Sequence, residues 1–490
     1  MSDFDNDGFD DLAIGVPGEG IGTAALAGAA NVIYGSSSGL ATVGNQLWHQ
    51  NVAGVIGGAE LEDGFASALA SGDFDNDGFD DLAVGVHGED FGTAANAGTV
   101  NVLRGSTTGL TAAGDQSWNQ DVAGVASAAE NDDAFGDALA VGDFDNDGFD
   151  DLAVGAPGED LGAIMSGGAV NVLRGSTSGL TATGNQIWHQ DSAGVESGAE
   201  TGDLFGDVLA VGDFNDDGFD DLAVSARRED IGGVENAGAV NLLLGSSGGL
   251  TATGNQLWHQ NSAGVAGVAE DDDAFGNALA VGDFDNDGFD DLAIGAPGEG
   301  VATIEDAGAV NVLRGSANGL TATGNQTWYQ DSAGIAGSGE ERDGFGNALA
   351  VGDFNNDGFD DLAIGVRGED IGASANAGAV SVLFGSASGL TASGNELWHQ
   401  DVAGVESAAE TDDIFGDVLT TGDFNDDGFD DLAVGVSGED LGAVVNGGAS
   451  QIFLGSANGL TAAGDQIWHQ DSSGILDVAE AGDLFGGWLI

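Results

Sequence analysis

Nine-residue segments of the form Asp-x-Asp/Asn-x-Asp-Gly-x-Asp-Asp recur seven times in this 490-residue chain, starting at Asp3, Asp73, Asp143, Asp213, Asp283, Asp353 and Asp423. Their chemistry is that of a hard-cation site. Side-chain oxygens at positions 1, 3, 5 and 9, with the backbone carbonyl of position 7, whose ring is expected to pack inward, meet the ligand demands of Ca²⁺, and a set without His or Cys disfavours zinc and copper. Gly at position 6 permits the positive φ of a tight ligand loop. The spacing opens like an EF-hand loop, but its last ligand falls at position 9 instead of 12 and no helices flank it.

The candidate ligands are Asp3, Asp5, Asp7, Phe9 and Asp11 in the first copy, and Asp73, Asp75, Asp77, Phe79 and Asp81 in the second. Asp143, Asp145, Asp147, Phe149 and Asp151 follow, then Asp213, Asn215, Asp217, Phe219 and Asp221. The last three sets are Asp283, Asp285, Asp287, Phe289 and Asp291; Asp353, Asn355, Asp357, Phe359 and Asp361; and Asp423, Asn425, Asp427, Phe429 and Asp431. Asn at position 3 keeps an oxygen but removes a charge, so the fourth, sixth and seventh copies are expected to bind more weakly. The plain alternative is a hairpin stabilised by Asx-turns. Two carboxylates ~4 Å apart repel by about 4 kcal/mol at an intermediate dielectric, so convergence without a cation is costly and its sevenfold repetition lacks a structural motive. About seven Ca²⁺ ions, one per repeat, are expected.

The copies are 70 residues apart without insertion or deletion, and seven such units fill the chain. A fixed period of this kind signals a repeat architecture. In the unit from Phe135 to Leu204, Phe135–Phe144 reads as a first strand turned by the loop, and Leu152–Pro157 as a second. Gly168–Gly175 reads as a third and Gln186–Gln190 as a fourth, with Gly, Ser, Thr and Asp in the gaps. The choice lies between a solenoid and a closed ring. No repeat resembles a polar cap, and the end at Phe485-Gly486-Gly487-Trp488-Leu489-Ile490 aligns with the opening of a first strand. The expectation is an all-β, seven-bladed β-propeller, one domain over 1–490, closed by pairing N-terminal strands with a C-terminal one. Gly and Ala on the strands are expected where neighbouring blades approach closely.

Composition narrows the function. The formal net charge is −76, from 83 acidic residues against seven Arg and no Lys, which excludes nucleic-acid and anionic-membrane binding through the chain's own charge. The seven loops hold 34 of the Asp residues, so a large share of that charge sits where a cation could neutralise it. The remaining acidity fits either solubility in high salt or calcium-rich extracellular water. Without Cys there is no disulfide, and no apolar run reaches membrane-spanning length. Met1-Ser2-Asp3-Phe4 lacks the regions of a signal peptide, and a start directly on a loop suggests a trimmed or recombinant form.

With Phe135-Gly136 as an FG element and Gly155-Ala156-Pro157 as a GAP element just past the loop, the chain resembles the FG-GAP repeat family, the integrin α-subunit propeller type. FG stands in six copies, the exception being Phe65-Ala66. GAP is looser: Gly15-Val16-Pro17 and Gly295-Ala296-Pro297 are close, whereas Pro gives way to His87, Arg227, Arg367 and Ser437 elsewhere. The resemblance implies a seven-bladed propeller with calcium in hairpins on one face. Two departures from integrin propellers stand out: all seven loops are equipped, and no inserted loops carry ligand specificity. Near-identical repeats look more like a recent bacterial-type amplification or a regularised design than an animal receptor.

Other recurring groups have plainer readings. The Trp-His pairs at Trp48, Trp188, Trp258, Trp398 and Trp468, with Asn119 and Tyr329 replacing His twice, could stack sugars but are expected to pack between blades. The acidic clusters before each FG, such as Glu130/Asp132/Asp133, are expected to be solvated loops with capping bonds. The only adjacent Arg pair, Arg227-Arg228, could hold an anion but is expected to reflect drift or an ionic contact to nearby acids. An active site needs one singular constellation, so no enzyme is expected. The expected role is a calcium-stabilised, non-catalytic adhesion-type module, monomeric and extracellular or on the cell surface, with a protein or glycan partner. Alternatives are a lectin-like multivalent glycan binder and an amplified repeat without an evolved partner.

Overall fold

The computed structural model describes residues 2–490, and the regular elements in that range are β-strands. They form seven four-stranded sheets, each with its strands side by side in antiparallel order. We number the blades by the loop each contains. In blade 3 the strands are Leu139–Gly142, Asp151–Ala156, Ala169–Arg174 and Thr181–Trp188. Gly142 pairs with Asp151 at the loop, and Ala156 pairs with Ala169 at the next turn. Leu139, Leu209, Leu279 and Leu349 of successive first strands line one cavity with Leu489, which places the first strands around a common axis.

Burial explains why these segments become strands. The second and third are buried on both faces, so they read as continuous apolar runs. The fourth lies at the rim and is only half-buried. It begins at Thr181, five residues earlier than its sequence suggests, because Thr-Ala-Thr-Gly reads as a turn although the chain there is extended. Conversely, Phe135-Gly136 lies in a turn and the first strand begins only at Leu139. A β-bulge between Val172 and Arg174 shifts the pairing of third and fourth strands, and the other six blades have it too.

The core lies between blades. Phe74, Val100, Val102 and Trp118 of blade 2 pack with Phe135, Leu152, Val154 and Leu173 of blade 3. The FG phenylalanines and those at loop position 2 are all at most 1% exposed. Burying each such ring contributes about 1.5–3 kcal/mol. The glycines of FG and GAP meet across the same interface: a Cβ on Gly155 would lie 2.1 Å from the carbonyl oxygen of Gly206 in the next blade. Trp398 stacks at 4.8 Å from Phe453 of the following blade, so the tryptophans serve inter-blade packing. Trp48, Trp118 and Trp398 are nearly enclosed and the other four blade tryptophans are half-buried.

The ring closes as expected. Trp488–Leu489 supplies the first strand of blade 1, with Leu489 opposite Ile14 and Trp488 opposite Gly15. A sevenfold polar seam reinforces closure: Gln190 Nε2 donates to Glu229 Oε2 of the next blade at 2.6 Å, and Gln470 joins Glu19 at 2.7 Å across the chain ends.

The exception to FG marks a strained site. The six FG glycines have φ between 86° and 98°, and Ala66 is held at φ 69°. A left-handed conformation costs a residue with a Cβ about 1–2 kcal/mol. Ala66→Gly is therefore expected to stabilise the protein by about 1 kcal/mol after glycine's extra chain entropy is counted, and Gly206→Ala to destabilise it. Thermal melts check both signs; a lowered melting temperature for Ala66→Gly would refute the strain.

Candidate metal centre

Each loop joins the first and second strands of a blade, and in blade 3 its shape follows from local hydrogen bonds. Asp143 caps the turn, its Oδ1 accepting from the N–H of Asp147 at 3.0 Å and its Oδ2 from that of Gly148 at 2.8 Å. Asp147 Oδ1 accepts from the Phe149 N–H at 3.2 Å. Asn146 and Gly148 both take positive φ, at 52° and 88°. Part of the Asx-turn chemistry is thus present, and the acids still converge on one another. The position-7 ring expected to pack inward is only half-buried, because Phe149 rides the exposed turn; the fully buried ring is Phe144 at position 2.

Position 9 is the buried pivot. Asp151 is 1% exposed, and its Oδ1 accepts from the N–H of Gly175, 24 residues on, at 2.9 Å. Burial pushes its carboxyl up to about 7, against the lowering pull of the Gly175 N–H and the Arg174 guanidinium. Asp11, Asp221 and Asp361 are pushed to about 8 by the same desolvation.

The expected ligands come together in different subsets. In loop 1, carboxylate oxygens of Asp3, Asp5 and Asp11 lie within 4.8 Å of one another. In loops 2, 3 and 5 the gathered acids are positions 1, 3 and 5, as in Asp143, Asp145 and Asp147. In loops 4, 6 and 7 the position-3 amide turns to position 9: Asn215 donates to Asp221, Asn355 to Asp361 and Asn425 to Asp431, each at 3.2 Å. The donor set fits a hard dication on one further observation. The Oδ1 atoms of Asp5, Asp75, Asp145 and Asp285 are buried yet accept no hydrogen bond, an arrangement that a cation on the loop would relieve.

Three features escaped the sequence reading. The position-8 Asp residues link the loops into a ring: Asp73 N–H donates to Asp150 Oδ2 at 2.9 Å, and the series ends with Asp423 donating to Asp10 at 2.7 Å. Their recurrence in all seven copies was the available signal. Arg174 reaches into its loop, donating to Asp151 at 2.9 Å and pairing with Asp145. Finally, the acidic clusters before FG are not wholly solvated. Glu130 and Asp132 are exposed, but Asp133 is 1% exposed and near enough to the Glu159 carboxylate to be raised by its charge. The expected capping bond is present, Glu130 N–H donating to Asp133 Oδ2 at 2.6 Å. Arg227 pairs with Asp207, as the ionic reading required.

Comparison with known proteins matches this architecture. The FG-GAP repeat profile matches residues 1–33, 65–103, 135–172, 205–243, 275–313, 345–383 and 415–453. Integrin alpha-5 of Xenopus laevis is 30% identical over 251 residues, 50% of this chain and 21% of its own length. Phosphatidylinositol-glycan-specific phospholipase D of Rattus norvegicus is 34% identical over 158 residues, 32% of this chain and 18% of its own. The chain therefore spans about a fifth of the length of these relatives. Among solved structures, the exotype rhamnogalacturonan lyase YesX aligns at a TM-score of 0.39 and 14% identity, over 89% of this chain and 72% of that one.

The interface acids give a pH prediction. Asp133, Glu229 and Glu299 are raised to about 7, and Asp273 to about 6, chiefly by burial. An acid raised in the folded state holds a proton that the unfolded chain releases above pH ~4, so stability falls as pH climbs from there through 7. In chelator at fixed ionic strength, the melting temperature is expected to drop between pH 5 and pH 8, and Glu299→Gln to lessen the slope. A flat or rising profile would contradict this.

Proposed function

The chain belongs to the FG-GAP repeat family, and from that premise we propose that it is a calcium-stabilised propeller acting as a non-catalytic, adhesion-type interaction module. The observation that carries the reading is the unsatisfied buried oxygen at position 3 of four loops, set among converging carboxylates. The loop ligands at positions 1, 3, 5 and 9 and the position-7 carbonyl would hold the ion, about seven per chain. When bound, it supplies positive charge to oxygens that otherwise repel. The residues do the rest: position 1 caps the turn, position 9 ties the loop to the third strand, and position 8 joins each loop to the next.

The relatives named integrins support an interaction role, outside the cell or at its surface, with a protein or glycan as partner. The acidic groups recur blade by blade, which supports binding over catalysis, since catalysis needs a single assembled constellation. The packing of the tryptophans into the cores between blades, with Trp48, Trp118 and Trp398 nearly enclosed, weighs against the lectin-like alternative of glycan pockets between blades. Residues 1–490 are read as one propeller domain, because inter-blade bonds run the full circle.

Calorimetric titration of chelator-stripped protein with Ca²⁺, alongside thermal melts, tests this. Close to seven ions, a large rise in melting temperature and a single unfolding transition are expected. At a free calcium of ~100 times the dissociation constant, one site contributes about 2.7 kcal/mol. An absence of binding with an unchanged melt would sink the calcium reading and leave the acids as salt-adapted surface.

A further inference from the structure

The loops differ systematically in one residue outside the motif, the last residue of the third strand. Where position 3 is Asp, in blades 2, 3 and 5, that residue is Arg104, Arg174 or Arg314. Where position 3 is Asn, it is Leu244, Phe384 or Leu454. Blade 1 alone combines Asp5 with Tyr34. The geometry explains the pairing. Arg104 Nη1 donates to Asp75 Oδ2 at 2.5 Å and to Asp81 Oδ2 at 3.0 Å, while its Nη2 donates to the Ser178 carbonyl of the next blade at 2.7 Å. Arg314 spans Asp285 and Asp291 in the same way. These guanidinium side chains are only 10–12% exposed.

We propose that Arg104, Arg174 and Arg314 are resident counter-cations that divide the loops into affinity classes, those of blades 2, 3 and 5 binding calcium most weakly and that of blade 1 most tightly, which reverses the order expected from the Asn substitutions alone. The proposal rests on the calcium reading above and adds to it. Counting the four side-chain ligand positions and the strand-end residue, six blades have a formal charge of −3 and blade 1 has −4. Equal charge does not mean equal access. An arginine consumes one oxygen of position 3 and one of position 9, and its charge opposes an incoming dication a few ångströms away. The Asn loops reach the same charge without a fixed cation, and a turn of the amide presents its oxygen in place of its nitrogen. Tyr34 is uncharged and donates its hydroxyl to Gln46 at 2.7 Å, and among the described residues no arginine pairs with Asp5.

Calcium titration of the full-length chain against a competing chelator tests this. The wild type is expected to bind in steps, with three weak sites. The variant Arg104→Leu/Arg174→Leu/Arg314→Leu is expected to tighten those three by about tenfold or more and to melt lower in chelator. A second variant guards against misfolding: adding Asp75→Asn, Asp145→Asn and Asp285→Asn recreates the combination of blades 4 and 7, and should regain the chelator melt and bind with the affinity of the native Asn loops. In the reverse direction, Asn215→Asp with Leu244→Arg should weaken one site by a similar factor. Unchanged or looser binding on removing the arginines, with calcium still bound, would overturn the proposal and leave the calcium reading standing. No calcium binding by the wild type would remove both.

Discussion

Like charge gathered at close range is the constraint around which this molecule is organised. The loop carboxylates converge within 4.8 Å in four blades, and the position-9 acids are almost completely withdrawn from water. Burial is imposed by architecture: Asp151 must sit at the root of the second strand to receive the Gly175 N–H, and that bond fixes the loop to the third strand. Its desolvation is what raises its carboxyl to about 7. Arginine, asparagine and backbone N–H groups are successive local answers to the same repulsion.

The answers are linked around the circle. Position-8 carboxylates join loop to loop on one face, while the Gln–Glu seam joins blade to blade elsewhere along each interface. Neither bond lies within a sheet, so each blade is stabilised by neighbours on both sides. The hydrophobic clusters follow the same plan, since every core phenylalanine is shared between two blades. In a linear repeat array the end units would lack half of these contacts; the pairing of Ile14 with Leu489 removes that asymmetry.

Much of this could be read from the sequence because a period of 70 turns one legible unit into a whole architecture. The loops and the closing strand follow from the spacing, and the FG-GAP resemblance follows from Phe135-Gly136 and Gly155-Ala156-Pro157. Position 7 was misjudged because Phe149 is apolar yet sits on an exposed turn, and Asp133 because an acid beside two exposed acids gives no sign of burial. The arginines were hidden for a different reason. Arg174 lies 29 residues from Asp145, and only the register of the third strand on the second, with Leu173 opposite Leu152, brings them together. Likewise, the partner of Asp73 is Asp150, 77 residues away in the next blade, a separation no local pattern announces.

The closing strand also has a meaning in time. During synthesis, blades 2 to 7 can assemble as their residues leave the ribosome, each docking on its predecessor. Blade 1 must wait, because Trp488 and Leu489 are made almost 500 residues after the Asp3 loop that they complete. Until then the nascent arc presents two naked flanks: the edge of Leu12–Val16 and the apolar side of the newest blade. The chain therefore carries its greatest risk of pairing with another molecule until Trp488 and Leu489 emerge, and that two-residue strand acts as the latch that ends it.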